Sequence, residues 1–348
     1  MMTEKRSALP LMLLMLVLTG VFFMLNIVIG SVFIPADSTL AILLGGDSGQ
    51  PVWQNIVLKS RLPQAVTAMA AGAGLAVSGL QMQTVFHNPL AGPSVLGISN
   101  GASLGVAFMV LATGSIGGVA LSRTGMVGNA AVSLAAIVGA LAVMALIVYV
   151  SQRVKGNVTL LIIGVMIGYV ATAIIGVLKY FSNEEDIRAY VVWGLGSFSR
   201  VSGNQVWLFV SLMAVLLPLS MLLIKTMNLL LLGEQYARNL GLDIRRARLL
   251  VIGSSGVIVA IVTAYCGPVM FLGLAVPHLC RAIWRSSDHR VLMPATALTG
   301  AALALACNII ARMPGFEGAL PINSVTALVG APIVASVLFR RRKSEAAE

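Results

Sequence analysis

The sequence is poor in charge: only 10% of its 348 residues are charged, against 58% that are hydrophobic. A soluble domain carries about 25% charged residues, so this chain has too little charge to cover the surface of the soluble domains that its length would allow. Disorder is excluded as well, because it requires low hydrophobicity. Aromatic residues are few, at 6%, whereas the 35 glycines are typical of closely packed membrane helices. The composition therefore predicts an all-α polytopic membrane protein.

Cysteines and catalytic motifs are also scarce. Cys266, Cys280 and Cys307 lie in or beside apolar runs and form no CxxC pair, so we expect neither a disulfide framework nor a metal site. The sequence contains no GxxxxGKS or GxxxxGKT motif and no HExxH motif, which would bind nucleotide phosphates and zinc, respectively. We therefore expect no P-loop ATP hydrolysis, no metal and no cofactor in this chain.

Carboxylates are nearly absent from the long apolar runs. Glu184, Glu185 and Asp186 form a cluster that we interpret as part of a solvated loop. Ion-driven transporters usually carry ionisable residues inside the membrane, so this absence indicates an energy source outside the chain, and hence a partner. The alternative to a transporter driven by a partner is an ion-coupled secondary transporter or a channel, which would need no such partner.

The net charge of +11 does not indicate nucleic-acid binding. The basic residues fall in short loops between apolar runs and do not alternate with aromatic residues. If both termini are cytoplasmic, 16 of the 23 Lys and Arg residues lie inside and 7 lie outside. This is the distribution that the positive-inside rule expects, and it favours a multi-pass protein with both termini in the cytoplasm.

Ten apolar runs approach the length of about 20 residues that spans a bilayer. The first, from Leu9 to Phe33, is too long for the apolar region of a signal peptide. The seventh and eighth are separated only by Cys266-Gly267-Pro268, so that one span there is the main alternative. We predict one transmembrane domain over residues 1–348, with spans at 10–33, 62–85, 95–113, 126–150, 159–181, 205–224, 248–266, 268–284, 291–311 and 322–339.

Two connecting segments are longer than simple turns. Residues 34–60, predicted outside, are rich in Gly, Asp and Ser, and residues 225–247, predicted inside, show an amphipathic pattern broken by Gly233 and Gly241. We interpret the inner segment as two short helices with a glycine turn. A Gly-Pro turn also follows both the second and the seventh span, on opposite predicted sides, which is what an inverted repeat would give.

Several motifs distributed over nearly the whole chain carry a family resemblance. The motifs are Arg61-Leu62-Pro63, Gly72-Ala73-Gly74, Asn88-Pro89-Leu90-Ala91, Leu232-Gly233-Glu234, Pro277-His278, Asp288-His289-Arg290 and Gly330-Ala331-Pro332. With these motifs the sequence resembles the FecCD-type permeases, the membrane subunits of bacterial ABC importers for iron-siderophores, haem and vitamin B12.

The resemblance implies a fold, an assembly and a cargo that the composition alone does not indicate. It implies the type II ABC importer permease fold with ten helices, in a homodimer or a heterodimer in the bacterial inner membrane. Two cytoplasmic ATPase subunits, which would hold ATP and Mg²⁺, are expected below, and a periplasmic substrate-binding protein above. The resemblance implies import of an iron chelate or haem, with cobalamin as the alternative within the family.

The resemblance also implies roles for individual residues. Asn88, Leu90, Asn157 and Ile162 correspond to the cytoplasmic gate, although ordinary tight turns explain these positions equally well. Arg61 and Arg312 correspond to arginines that dock the binding protein, and interfacial anchoring of helix ends is the alternative. The residues that correspond to the ATPase-coupling helices are Gly233, Glu234, Ala237, Arg238, Leu240 and Gly241.

The chain departs from the family pattern at three places. Gln64 stands where a second arginine is common, and Cys307-Asn308 replaces Ala-Asp. The usual Glu-x-Pro-x-Gly stretch reads Ala319 to Asn323, with Glu317 shifted nearby. Family roles of those acidic side chains are therefore not transferred to this chain, and we expect docking with one charge fewer per subunit.

Overall fold

The computed structural model describes residues 2–46, 50–112, 126–154, 156–313 and 319–345. Within these ranges all regular structure is helical. The helices are α1 (Met2–Val28), α2 (Ala36–Leu43), α3 (Pro51–Ile56), α4 (Leu62–Val85), α5 (Ile98–Ala107), α6 (Met126–Arg153), α7 (Asn157–Tyr180), α8 (Glu184–Gly194), α9 (Asn204–Met221), α10 (Ile224–Leu231), α11 (Glu234–Asn239), α12 (Ile244–Cys266), α13 (Leu272–Trp284), α14 (His289–Ala311) and α15 (Ile322–Glu345).

Each of the ten predicted spans contains an apolar helix. In the described residues, seven helices are long and apolar enough to cross a membrane, and three more are shorter, at Ile98–Ala112, Leu272–Trp284 and Ile322–Ser336. The break at Cys266-Gly267-Pro268 separates two helices, because Gly267 adopts φ +78° and helix α13 does not begin until Leu272. The all-helical membrane architecture is confirmed, and the count of ten spans stays a prediction.

The connection before the second span is helical where we expected only an outer segment. Pro51 occupies the first turn of α3, where its missing N–H costs nothing. A π-helical turn from Val57 to Arg61 then joins α3 to α4, so that one continuous helix runs from Pro51 to Val85. The span therefore begins about three turns earlier than the apolar run indicates, because Lys59 and Arg61 interrupt the hydrophobicity but not the helix.

The acidic cluster is also helical, so the prediction of a solvated loop is wrong there. Glu184, Glu185 and Asp186 form the first turn of α8, where negative charge is favoured by the helix dipole. Asp186 is buried at 5% exposure.

The described chain forms two compact units. The first comprises residues 1–77, 197–218 and 271–348, and the second comprises 78–196 and 219–270. In the first unit α1 packs on α14, and α13 packs on α14 and α15. In the second, α6 packs on both α5 and α12, and α5 also packs on α7.

Glycines allow helices to approach closely in both units. A Cβ added at Gly72 would lie 2.3 Å from the carbonyl oxygen of Gly300, which links α4 to α14 in the first unit. In the second unit, a Cβ at Gly139 would lie 2.2 Å from the carbonyl oxygen of Gly101. Small residues are the usual means of packing membrane helices, because lipid provides no hydrophobic drive for association.

Candidate functional site

Residues 225–247 include the positions predicted to couple to the ATPase, and we call them the coupling segment. This segment contains two short helices, α10 and α11, which are joined by Leu232 and Gly233. Gly233 has φ +92° and ψ 151°, a region that is almost exclusive to glycine. No atom lies within 4 Å of a Cβ added there, so backbone conformation, and not space, requires the glycine. The prediction of two helices with a glycine turn is confirmed.

The second short helix, α11, ends in a Schellman motif. Leu242 N donates to Ala237 O at 3.0 Å, and Gly241 N donates to Arg238 O at 2.9 Å, with Gly241 at φ +85°. This pair of bonds satisfies carbonyls that the helix end would otherwise leave without donors.

Glu234 forms an ion pair with Arg248 of α12, and the two side chains are 34% and 14% exposed. Glu234 also lies in the first turn of α11, where the helix dipole favours a carboxylate. The coupling segment is therefore held to the next membrane helix by a specific contact, and α11 has a defined position.

The coupling segment leaves an apolar surface exposed. Tyr236 is 69% exposed, Leu240 59% and Leu232 57%, and Arg238 is exposed beside them, whereas Ala237 is fully buried. The residues assigned to coupling from the resemblance included Arg238 and Leu240. They did not include Leu232, although it stands in the motif Leu232-Gly233-Glu234, or Tyr236. The amphipathic pattern of residues 225–247 was the signal that could have identified both.

Arg61 does not lie at a hydrated position, which a residue that docks a partner through its charge would occupy. Its side chain is 2% exposed, and its Nη1 donates to the carbonyl oxygens of Ile27 at 2.9 Å and Val28 at 2.7 Å. Its Nη2 donates to the carbonyl oxygen of Val32. These acceptors lie at and just beyond the end of α1, where carbonyls lack partners within the helix. Arg61 therefore caps α1.

Arg312 reaches the same helix end. Its Nη1 donates to Oε1 of Gln64 at 2.9 Å, and its Nη2 donates to the carbonyl oxygen of Ile29 at 3.1 Å. Burial, followed by the nearby charge of Arg61, lowers the pKa of Arg312 to about 10, so Arg312 remains a cation at neutral pH. Two arginines thus complement the negative end of the α1 dipole.

Two departures from the family pattern meet in this cluster. Gln64 Nε2 donates to Oδ1 of Asn308 at 3.1 Å. Asn308 Nδ2 donates to Oδ1 of Asn26 at 2.7 Å, and Asn26 Nδ2 donates to the carbonyl oxygen of Leu305 at 2.9 Å. Neutral amides therefore pair at two positions where the family pattern has an arginine and an aspartate. We call Asn26, Arg61, Gln64, Asn308 and Arg312 the capping cluster.

The predicted gate residues lie on a short loop and on α7. Asn88 Oδ1 accepts a bond from Leu90 N at 2.9 Å, which forms a tight turn. Leu90 and Ile162 are each 52% exposed, and Asn157 is the first residue of α7. The loop that carries Asn88 ends against α7, because a Cβ added at Gly97 would lie 3.0 Å from the carbonyl oxygen of Gly164. The gating role itself is not tested by this geometry.

In the described part of the chain, no group of three or more His, Cys, Asp or Glu residues could hold a metal ion. Cys266, Cys280 and Cys307 are buried and form no disulfide. Glu317 lies outside the described residues.

Comparison with known proteins assigns the family. Residues 16–340 match the FecCD transport family. The chain is 36% identical over 290 residues to the vitamin B12 import system permease protein BtuC of Klebsiella pneumoniae, covering 83% of this chain and 84% of that protein. It is 35% identical over 299 residues to BtuC of Escherichia coli, covering 86% and 88%.

A solved structure is also similar over nearly the full length. It is an inward-facing conformation of an ABC transporter described as metal-chelate type, with a TM-score of 0.81, 28% identity, and coverage of 95% of this chain and 99% of that chain. The family match, the identities and the helical packing agree, and the chain is therefore a member of the FecCD transport family, a permease of a bacterial ABC importer.

Proposed function

We propose that this permease imports a metal-containing chelate and is driven by a separate ATPase. The observation that carries the proposal is the family match over residues 16–340, together with a sequence that has no P-loop motif. The chain supplies the path across the membrane, and hydrolysis of ATP with Mg²⁺ takes place on the partner.

The proposed assembly contains two copies of the permease, two cytoplasmic ATPase subunits and a periplasmic substrate-binding protein. The chain crosses the inner membrane ten times with both termini in the cytoplasm. The excess of Lys and Arg on that side supports the orientation, and one apolar helix within each predicted span supports the count. A short helix follows each of the two Gly-Pro turns, at Ile98 and Leu272, in keeping with the proposed inverted repeat.

The coupling segment is the proposed contact with the ATPase. Leu232, Tyr236 and Leu240 present apolar side chains to solvent on two helices that a glycine turn and an ion pair hold in place. A partner that covers such a surface gains from its burial, at about 25 cal/mol per Å² of apolar area. A rigid pair of helices can also transmit a rigid-body movement of that partner.

Cobalamin is the first cargo to test, because the relatives at 34–36% identity are vitamin B12 import permeases. Iron chelates and haem are the second candidate, because the structural relative is described as metal-chelate type. Both candidates are metal-containing chelates. The proposed ATP-driven import is therefore the same for both, and only the ligand used in the transport experiment differs.

The docking role of Arg61 and Arg312 stays a prediction. The structure indicates that the two arginines would contribute to docking in different ways. Arg61 is buried against α1, so it would act on the binding protein by positioning the end of that helix. Arg312 is only partly buried and remains the one of the two that could present charge to a partner.

Reconstitution in proteoliposomes tests the proposal. The purified chain alone should hydrolyse no ATP, and hydrolysis should appear when the cognate ATPase is added. Radiolabelled cyanocobalamin, haem and a ferric siderophore, each presented on the binding protein, should distinguish the cargo. ATP hydrolysis by the isolated chain would contradict the proposal. Uptake driven by an ion gradient without ATP would favour the secondary-transporter alternative.

A further inference from the structure

Helix α4 ends in a Schellman motif with an unusual residue at its key position. Asn88 N donates to Gln83 O at 3.2 Å, and His87 N donates to Thr84 O at 3.3 Å. This pattern places His87 at the position that adopts the left-handed conformation, and its φ is +48°. Glycine is the usual residue there, because an L side chain is strained in that conformation.

The same motif elsewhere in the protein uses glycine. Helix α11 ends with the same pair of bonds, and Gly241 occupies the equivalent position at φ +85°. Among the described residues, only His87 and Arg285 are non-glycine residues with positive φ. Strained residues of this kind persist where the surrounding contacts hold them in place, and they cluster at functional sites and switch regions.

The ring of His87 makes such a contact. Its Nε2 lies 2.8 Å from the carbonyl oxygen of Leu230, and because a carbonyl only accepts hydrogen bonds, Nε2 carries the proton.

Leu230, the acceptor of this bond, lies next to the glycine turn of the coupling segment. It lies in the last turn of α10, where carbonyls lack partners within the helix. Its carbonyl oxygen also accepts a bond from Gly233 N at 3.1 Å. His87 therefore caps the first coupling helix at the glycine turn that leads into α11.

On its other side, His87 adjoins the proposed gate. The next residue, Asn88, accepts the bond from Leu90 N, so that the chain from the end of α4 to Leu90 is a continuous hydrogen-bonded turn. We propose that His87 is a positioning residue that transmits movement of the coupling segment to the gate loop at Asn88 and Leu90. This inference rests on the proposed function, because it assigns a route between the proposed coupling segment and the proposed gate.

Substitution by glycine separates this role from a structural one. His87→Gly removes the ring and relieves the left-handed strain, so the melting temperature should stay the same or rise while coupling falls. His87→Gln retains an N–H donor of similar reach and should restore coupling. Arg285→Gly is the matched control, because it relieves strain at the other such position (φ +47°), which lies at the end of α13.

The readout is the labelling rate of a cysteine placed at the exposed Leu90, measured with fluorescein maleimide on the permease in complex with its ATPase. The three native cysteines are buried, so their background labelling is expected to be low. In the Leu90→Cys protein the rate should change between the nucleotide-free and the ATP-and-vanadate states. That change should shrink at least threefold when His87→Gly is added, and should persist with His87→Gln or Arg285→Gly.

The outcomes separate the inference from the proposed function. A full nucleotide response in His87→Gly, or a melting temperature that falls with the response, overturns the role of His87 and leaves the proposed function intact. Absence of any nucleotide response in Leu90→Cys alone, or failure of the ATPase to bind, overturns the proposed coupling and the inference with it.

Discussion

The capping cluster and the coupling segment use charge in opposite ways. In the capping cluster, Arg61 is buried and all three of its described acceptors are carbonyl oxygens of the same chain. In the coupling segment, Arg238 is exposed beside Tyr236 and Leu240. A charged residue in a family motif can therefore serve the chain's own helix end or a partner, and burial distinguishes the two. This difference predicts that substitutions in the capping cluster act first on folding and that those in the coupling segment act first on assembly.

The largest effect is expected for Arg61→Glu. The substitution removes the donors to the carbonyl groups of Ile27, Val28 and Val32 and places a carboxylate in a buried site among carbonyl oxygens. Breaking a buried charged contact of this kind costs about 3–5 kcal/mol. We expect a strongly lowered melting temperature or no folded protein in detergent. Arg188→Glu, at an exposed arginine of α8, is the control and should fold. A folded Arg61→Glu protein that only binds its periplasmic partner less well would restore the docking interpretation.

Gly233→Pro should come next and should act mainly on coupling. Proline fixes φ near −65°, against the observed +92°, and removes the N–H that donates to Leu230 O at 3.1 Å. The turn must then change, so that α10 and α11 no longer present one surface. We expect insertion into the membrane with at least a tenfold loss of ATPase binding, measured by co-purification. Gly176→Ala, where an added Cβ meets nothing within 4 Å, should bind the ATPase normally. Normal transport by Gly233→Pro would remove the coupling assignment.

A smaller effect, with a rescue, is expected at Gln64. Because Gln64 is buried and contacts Arg312 at 2.9 Å, Gln64→Arg would place two cations together. We expect a loss of about 2 kcal/mol, within the range of about 0.5–3 kcal/mol that most destabilising single substitutions cost. Adding Asn308→Asp supplies a carboxylate at the partner that Gln64 contacts at 3.1 Å, and should recover at least half of the loss. A thermal-unfolding double-mutant cycle measures this. Strictly additive effects would show that the two positions are not coupled.

Prediction from the sequence succeeded where a local pattern determines the structure. Among the described residues, each predicted apolar run contains an apolar helix, and Gly233 and Gly241 mark the turns of the coupling segment, because hydrophobicity and positive φ act within a few residues. It failed where the deciding contact is distant in the chain. Arg61 bonds residues some 30 positions earlier, and Gln64 bonds Asn308, 244 positions later. A motif shows that an arginine is present but not which carbonyl groups accept its hydrogen bonds.

The smallest change in stability is expected for Arg238→Ala. This substitution tests whether an exposed charge of the coupling segment acts on a partner and not on folding. Arg238 is exposed on α11, and surface substitutions usually change the free energy of unfolding by less than about 0.5 kcal/mol. If its charge meets an acidic groove on the ATPase, the substitution should weaken ATPase binding, and the loss should shrink as salt rises, because exposed charges are screened over about 10 Å at 0.1 M. Tyr236→Ala should weaken binding at every salt concentration, because its contribution is apolar burial. Arg290→Ala, at another exposed arginine with the same predicted side, is the control and should leave binding unchanged. Equal affinities for Arg238→Ala and Arg290→Ala at low salt would mean that the coupling surface acts through its apolar side chains alone.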